Sequence, residues 1–186
     1  MHFRNIASVA ILAASLVSAI IIPEVPFDGV WIAQELADGT TITTSISNPD
    51  TALIISHYVA TNKPRVSRNI HGRRFAWPDG DCWGYQLDHA GVDQAANGLA
   101  DWATNGGHNL CSSDDGTYTY FVNRRNTIVY YCIDAPRRCG NLDTNDVRYA
   151  LGQMDAHCPR YEASWFKWPG SVEIVGKAKI GDEICI

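Results

Sequence analysis

No cysteine occurs before residue 82, and none of the six that follow forms a Cys-x-x-Cys pair; the nearest two, Cys132 and Cys139, are seven apart. The ligand spacing of a zinc cluster is therefore missing, and no metal site is expected. Also missing are the Gly-x-Ser-x-Gly nucleophile elbow, the His-Glu-x-x-His pair and the phosphate loop. There is no excess of basic charge: 15 Lys and Arg against 20 Asp and Glu leave a net charge of -5. A nucleic-acid binder needs a basic surface to neutralise phosphates, and a membrane-lytic peptide needs a cationic face. The charge argues against both. Beyond residue 22 no run is long and apolar enough to form a transmembrane helix, so stable membrane insertion is not expected. What remains is a globular composition, 46% hydrophobic and 19% charged.

The amino-terminal residues carry one long apolar run, Ile6 to Ile22, behind a basic Arg4. Val17-Ser18-Ala19 offers the small side chains that a signal peptidase reads, so residues 1–19 are expected to be a signal peptide cut after Ala19. The chain is then expected to be secreted and extracellular. In an oxidising compartment an even cysteine count implies disulfides, here up to three among Cys82, Cys111, Cys132, Cys139, Cys158 and Cys185. Spacing alone leaves their pairing open.

The cysteine-free stretch 20–74 contains Pro23, Pro26, Pro49 and Pro64 and ends in His71-Gly72-Arg73-Arg74. That dibasic pair resembles the processing sites of Kex-type proteases in secreted fungal precursors, with cleavage after Arg74. Such a protease requires an exposed, extended loop. Strand-like runs at 41–46 and 52–59 leave two readings open for this stretch. It is either a pro-segment that assists folding or a set of extra strands of the mature domain. The remaining residues, 75–186, form the cysteine-containing domain, whose size gains from covalent staples.

Two amphipathic helices stand out in that domain. The first follows Asp88, a suitable N-cap, with Val92, Ala95, Ala96, Leu99, Trp102 and Ala103 on one face. Asn105-Gly106-Gly107 is expected to end it. The second starts near Thr144, carries Val147, Ala150, Leu151, Met154 and Cys158, and stops at Pro159. Strands are expected at 75–77, 117–122, 127–133, 165–168, 171–177 and 183–186, with Asn123-Arg124-Arg125-Asn126 as a hairpin tip. The order is β-α-β-β-α-β with additions. The fold class is α+β: an antiparallel sheet with two helices on one face, the split βαββαβ or ferredoxin-like arrangement, held by disulfides.

A signal peptide, a stretch ending in Arg73-Arg74, an even cysteine set and this element order together resemble the small secreted proteins of fungi, and more narrowly the killer-toxin-like and effector families. The resemblance covers 75–186 and is one of architecture and processing, with Cys139-Gly140 before the second helix and Cys158 at its end. It implies a non-enzymatic toxin or effector that needs no cofactor and acts on an extracellular or host target, a protein or a glycan.

Three histidines could carry chemistry in 75–186: His89 beside Asp88, His108 in a Gly-rich stretch, and His157 two residues after Asp155. A histidine with a carboxylate performs acid–base work, and with Arg124 or Arg160 it would make a ribonuclease-like site. Asp79 with Asp81, or Asp114 with Asp115, would be glycosidase pairs if their separation allowed. Adjacent acids near glycines are more often solvated turns. The aromatic residues favour binding instead. Trp83 and Tyr85 flank Cys82 in an expected loop, and Trp168 follows Trp165 and Phe166 without strict alternation. Exposed, these rings would serve a carbohydrate or protein partner. A small secreted hydrolase and a cell-wall or carbohydrate-binding protein are the alternatives to a toxin or effector.

Overall fold

The computed structural model describes residues 20–36, 38–48, 53–57, 75–104, 107–114 and 116–185, the side chains of 53–57 and Phe75 excepted. The signal-peptide segment with Ala19, the Arg73-Arg74 pair, Asn105-Gly106 and Asp115 lie outside the described residues. Among the described residues thirteen strands and two helices follow one another as β1 (Ile20–Ile21), β2 (Gly29–Glu35), β3 (Thr40–Ser45), β4 (Leu53–His57), β5 (Phe75–Trp77), β6 (Gly80–Gln86), α1 (His89–Trp102), β7 (His108–Cys111), β8 (Tyr118–Arg124), β9 (Thr127–Ile133), β10 (Cys139–Leu142), α2 (Thr144–His157), β11 (Glu162–Lys167), β12 (Glu173–Lys179) and β13 (Glu183–Ile184). The class is α+β.

Nine strands form one sheet in the order β4-β3-β2-β8-β9-β12-β11-β6-β5. Every neighbouring pair is antiparallel. Its middle is the β8–β9 hairpin. Arg125 and Asn126 at the tip have φ of 52° and 63°, the left-handed pair that a two-residue type I′ turn requires. All seven residues of β9 are buried, as befits a strand covered on both faces. The segment 20–57 contributes β1 to β4. Trp31 of β2 is fully buried opposite Phe121 of β8, and their rings stack at 6.5 Å.

Both helices pack on one face. Ala95, Leu99 and Ala103 at the α1 side, and Val147, Ala150 and Met154 of α2, share a core with Val122, Val129, Tyr131, Phe166 and Val175. Asp88 caps α1 by accepting from Gly91 N at 2.7 Å. Asp143 and Asp146 form a reciprocal capping box on α2. Thr144 Oγ1 donates to Ala100 O at 3.0 Å, which places the start of α2 beside the end of α1 and makes the helices antiparallel. The opposite face is covered by the two ends of the described chain. Ile20 and Ile22 pack with Ile184 and Cys185 over Trp31, Phe121, Tyr130 and Ala178, and β1 pairs with β13.

Three disulfides join Cys82 to Cys158, Cys111 to Cys139, and Cys132 to Cys185. The first ties β6 to the end of α2, and the second links facing residues of the small β7–β10 ribbon. The third fastens the carboxy-terminal segment to β9.

Several sequence expectations need correction. Trp83 and Tyr85 are strand residues of β6, not loop residues. The alternation there is hidden by Gly80 and Gly84. A side chain at Gly80 would run into the Trp77 ring and the Trp165 carbonyl, and Gly84 has φ of 78° where the β6–β11 register shifts. His108 is the first residue of β7 rather than part of a loop. The first helix ends at Trp102 with Ala103 as C-cap, so Gly107 does not terminate it.

Candidate functional site

The rings of His89, His108 and His157 each lie against an aromatic ring, and the three positions are separate. His89 stacks on Tyr161 with centroids 3.9 Å apart, His157 on Trp77 at 4.8 Å, and His108 on Trp102 at 4.6 Å. His89 and His108 flank opposite ends of α1, a helix about 20 Å long. His157 Nδ1 lies 2.9 Å from the carbonyl oxygen of Gln153 within its own helix.

Asp79 and Asp81 belong to the β5–β6 hairpin at the outer end of the sheet. Asp114 is paired with Arg137 at 2.7 Å, both exposed. Arg124 stands at the hairpin tip and donates to Asn123 O at 2.8 Å, while Arg125 reaches Asp88 at 2.9 Å.

The three aromatics singled out from the sequence lie on opposite faces of the sheet. Trp83 is only 6% exposed and belongs, with Tyr85, to the core under the chain ends. It is therefore not an exposed contact residue. Tyr85 donates its hydroxyl to Asp182 and carries Lys179 over its ring at 5.1 Å. Trp168 is on the helix side. It meets Phe166 edge-on at 5.1 Å, and Phe166 meets Tyr149 edge-on at 5.7 Å. Tyr149 is 52% exposed and Trp168 half-buried. Together they form an aromatic ledge along α2, and Tyr149 is the member that sequence reading missed. Its position between Arg148 and Ala150 carries no signal until the helix is docked.

A second feature is a groove between the antiparallel helices. Its larger part, about 540 Å³, is lined by Asp93 and Asn97 of α1, Arg148, Leu151 and Asp155 of α2, Arg160, and Lys177 of β12, among others. A smaller part, about 260 Å³, continues towards Ala100 and Thr144. Lys177 is 1% exposed. Its ammonium donates to Asp155 Oδ1 at 2.8 Å and to the Arg160 carbonyl. Burial pulls the Lys177 amine below the ordinary lysine range, against the opposing pull of the bonded Asp155. At the mouth Arg160 lies 3.7 Å from Asp93, and the Tyr161 hydroxyl donates to Asp93 at 3.2 Å. Tyr161 in turn carries the His89 ring, so His89, Asp93 and Arg160 meet around the start of α1.

Among the described residues no group of three or more His, Cys, Asp or Glu is placed to hold a metal ion. No described helix is long and apolar enough to cross a membrane. Comparison with protein-family models, curated proteins and solved structures returned no match.

Proposed function

We propose that the chain is a secreted, non-enzymatic binding protein of the effector or killer-toxin kind, acting on an extracellular or host target. The aromatic ledge carries this reading. Tyr149 of α2, Phe166 of β11 and Trp168 just beyond β11 are packed edge to face, and the outer ring, Tyr149, stands half in solvent. Aromatic rings held this way present apolar area at little entropic cost and suit a sugar face or a protein surface. The three disulfides fit an oxidising, extracellular setting. With β7 and β10 set aside, the chain order β6-α1-β8-β9-α2-β11 follows a β-α-β-β-α-β succession, but the sheet order differs from the split arrangement, because β12 lies between β9 and β11 and β6 lies outside β11.

The test is co-sedimentation of the purified protein with intact target cells and with insoluble cell-wall polysaccharides, alongside a growth-inhibition assay. Wild type is expected to sediment, and a Tyr149→Ala/Trp168→Ala double variant with an unchanged circular dichroism spectrum is expected to stay in solution. Equal sedimentation of both proteins would overturn the reading. Sedimentation without growth inhibition would assign a wall-binding protein without toxicity. One observation favours the hydrolase alternative: His89, Asp93 and Arg160 converge through Tyr161. Turnover of RNA or glycan that disappears in His89→Ala would move the assignment there.

A further inference from the structure

We propose that the groove between α1 and α2 is a binding site for a small acidic sugar, a polyhydroxylated ring carrying one anionic group. Gly91 and Gly98 of α1 are sterically required: a Cβ at Gly91 would come within 2.7 Å of Arg124 O, and one at Gly98 within 2.9 Å of Val122 Cγ1. Gly152 of α2 is different. It lines the groove, its backbone is helical, and nothing lies within 4 Å of where its Cβ would stand. Glycine in a helix interior costs about 0.5–1 kcal/mol relative to alanine, and packing does not demand it here. Its effect is to leave the groove open.

The walls then define the ligand. Lys177 is paired with Asp155, and Arg160 with Asp93, so these four charges cancel locally. Arg148 is the remaining cation of the lining and makes no ion pair among the described residues. Counted over both parts the groove is neutral, because Asp101 lines the smaller part; in the larger part Arg148 is the charge left to meet an anionic group. Asp155 commits Oδ1 to Lys177, and its second oxygen accepts no hydrogen bond among the described residues. The Asn97 amide is also unengaged there. An acceptor and an amide beside one free guanidinium suit hydroxyl groups flanking an anionic group. Val92, Ala96 and Leu151 supply apolar wall for the CH face of a ring. A volume of about 540 Å³ has room for such a ligand. The site is independent of the aromatic ledge.

The experiment is titration of the intact, disulfide-bonded protein, followed by amide chemical-shift perturbation, with D-glucuronate and glucose 6-phosphate. D-glucose and inorganic phosphate serve as controls. Saturable shifts centred on Asn97, Arg148 and Gly152 are expected with at least one acidic sugar, with affinity about tenfold or more above either control. The stronger arm identifies the anion as carboxylate or phosphate. Arg148→Ala is expected to weaken binding about tenfold. Gly152→Leu, whose Cβ meets no atom within 4 Å and which improves helix propensity, is expected to abolish it by occupying the groove, while Tyr149→Ala/Trp168→Ala leaves it unchanged. No saturable shift with either acidic sugar, phosphate alone binding as tightly, or undiminished binding by Gly152→Leu would each overturn the assignment.

Discussion

Gly176 faces Tyr130 across β12 and β9, and a Cβ there would run into the Tyr130 phenol. Both residues are fully enclosed, so neither ring nor strand has room to withdraw. Gly176→Ala is expected to lower stability by about 1–3 kcal/mol, measurable as a drop in the denaturant midpoint at unchanged slope. Lys177, next along the strand, gives a pH signature. Its folded-state pKa lies below the ordinary 10.5 because burial disfavours the charged form. Between those two values the unfolded chain binds more protons than the folded one, so stability from this residue rises with pH across that window. Below the window the buried charge works against the fold. Lys177→Met is expected to remove this rise, seen by comparing thermal midpoints of the two proteins from pH 7 to pH 11. Sequence patterning gives no sign of either residue's role, because Gly176 acts through Tyr130 on the neighbouring strand and Lys177 through Asp155 on α2 and the Arg160 carbonyl, all distant in the chain.

At the scale of elements, caps and exposure decide most of what can be tested. Asp143→Ala removes one half of the α2 capping box and is expected to cost about 0.5–2 kcal/mol. The disulfides divide by access. Cys111 and Cys139 are exposed on the β7–β10 ribbon, whereas the other four cysteines are at most 4% exposed. Mild thiol treatment followed by alkylation and peptide mass analysis is expected to label Cys111 and Cys139 first, since exchange needs access to sulfur. The same scale explains what sequence reading reached. Both helices were legible because Asp88 marks the start of the first, the second was placed from Thr144, and their apolar residues keep a 3.6 period. The β8–β9 hairpin was legible from its β-branched and aromatic runs. By contrast, β7 and β10 are four-residue strands of mixed polarity, and β6 is broken by two glycines. These signals fall below what periodicity can carry.

For the whole molecule, sheet order is what sequence could not supply. The ledge joins Tyr149 of α2 to Phe166 and Trp168 after a chain reversal, and the groove brings Arg148 to Lys177 only because β12 lies between β9 and β11. Disulfide pairing is of the same kind. Full reduction is expected to lower the thermal midpoint sharply, with the Cys82–Cys158 bridge contributing most. It closes a 76-residue separation against 28 for Cys111–Cys139, a difference of about 1 kcal/mol in the chain-entropy account. Cys82→Ser/Cys158→Ser and Cys111→Ser/Cys139→Ser double variants, compared by thermal unfolding, check the ranking.

None of the three disulfides reaches the strands β1 to β4, since all six cysteines lie between 82 and 185. Those strands are joined to the rest through backbone hydrogen bonds between β2 and β8, the β1–β13 pair, and contacts such as Trp31 on Phe121. A cut after Arg74 would therefore change the molecularity of folding. The uncut chain refolds in a first-order process whose rate is indifferent to concentration. The cut protein becomes two polypeptides, and after unfolding its recovery becomes second order, slowing with dilution and failing once the smaller fragment is washed away.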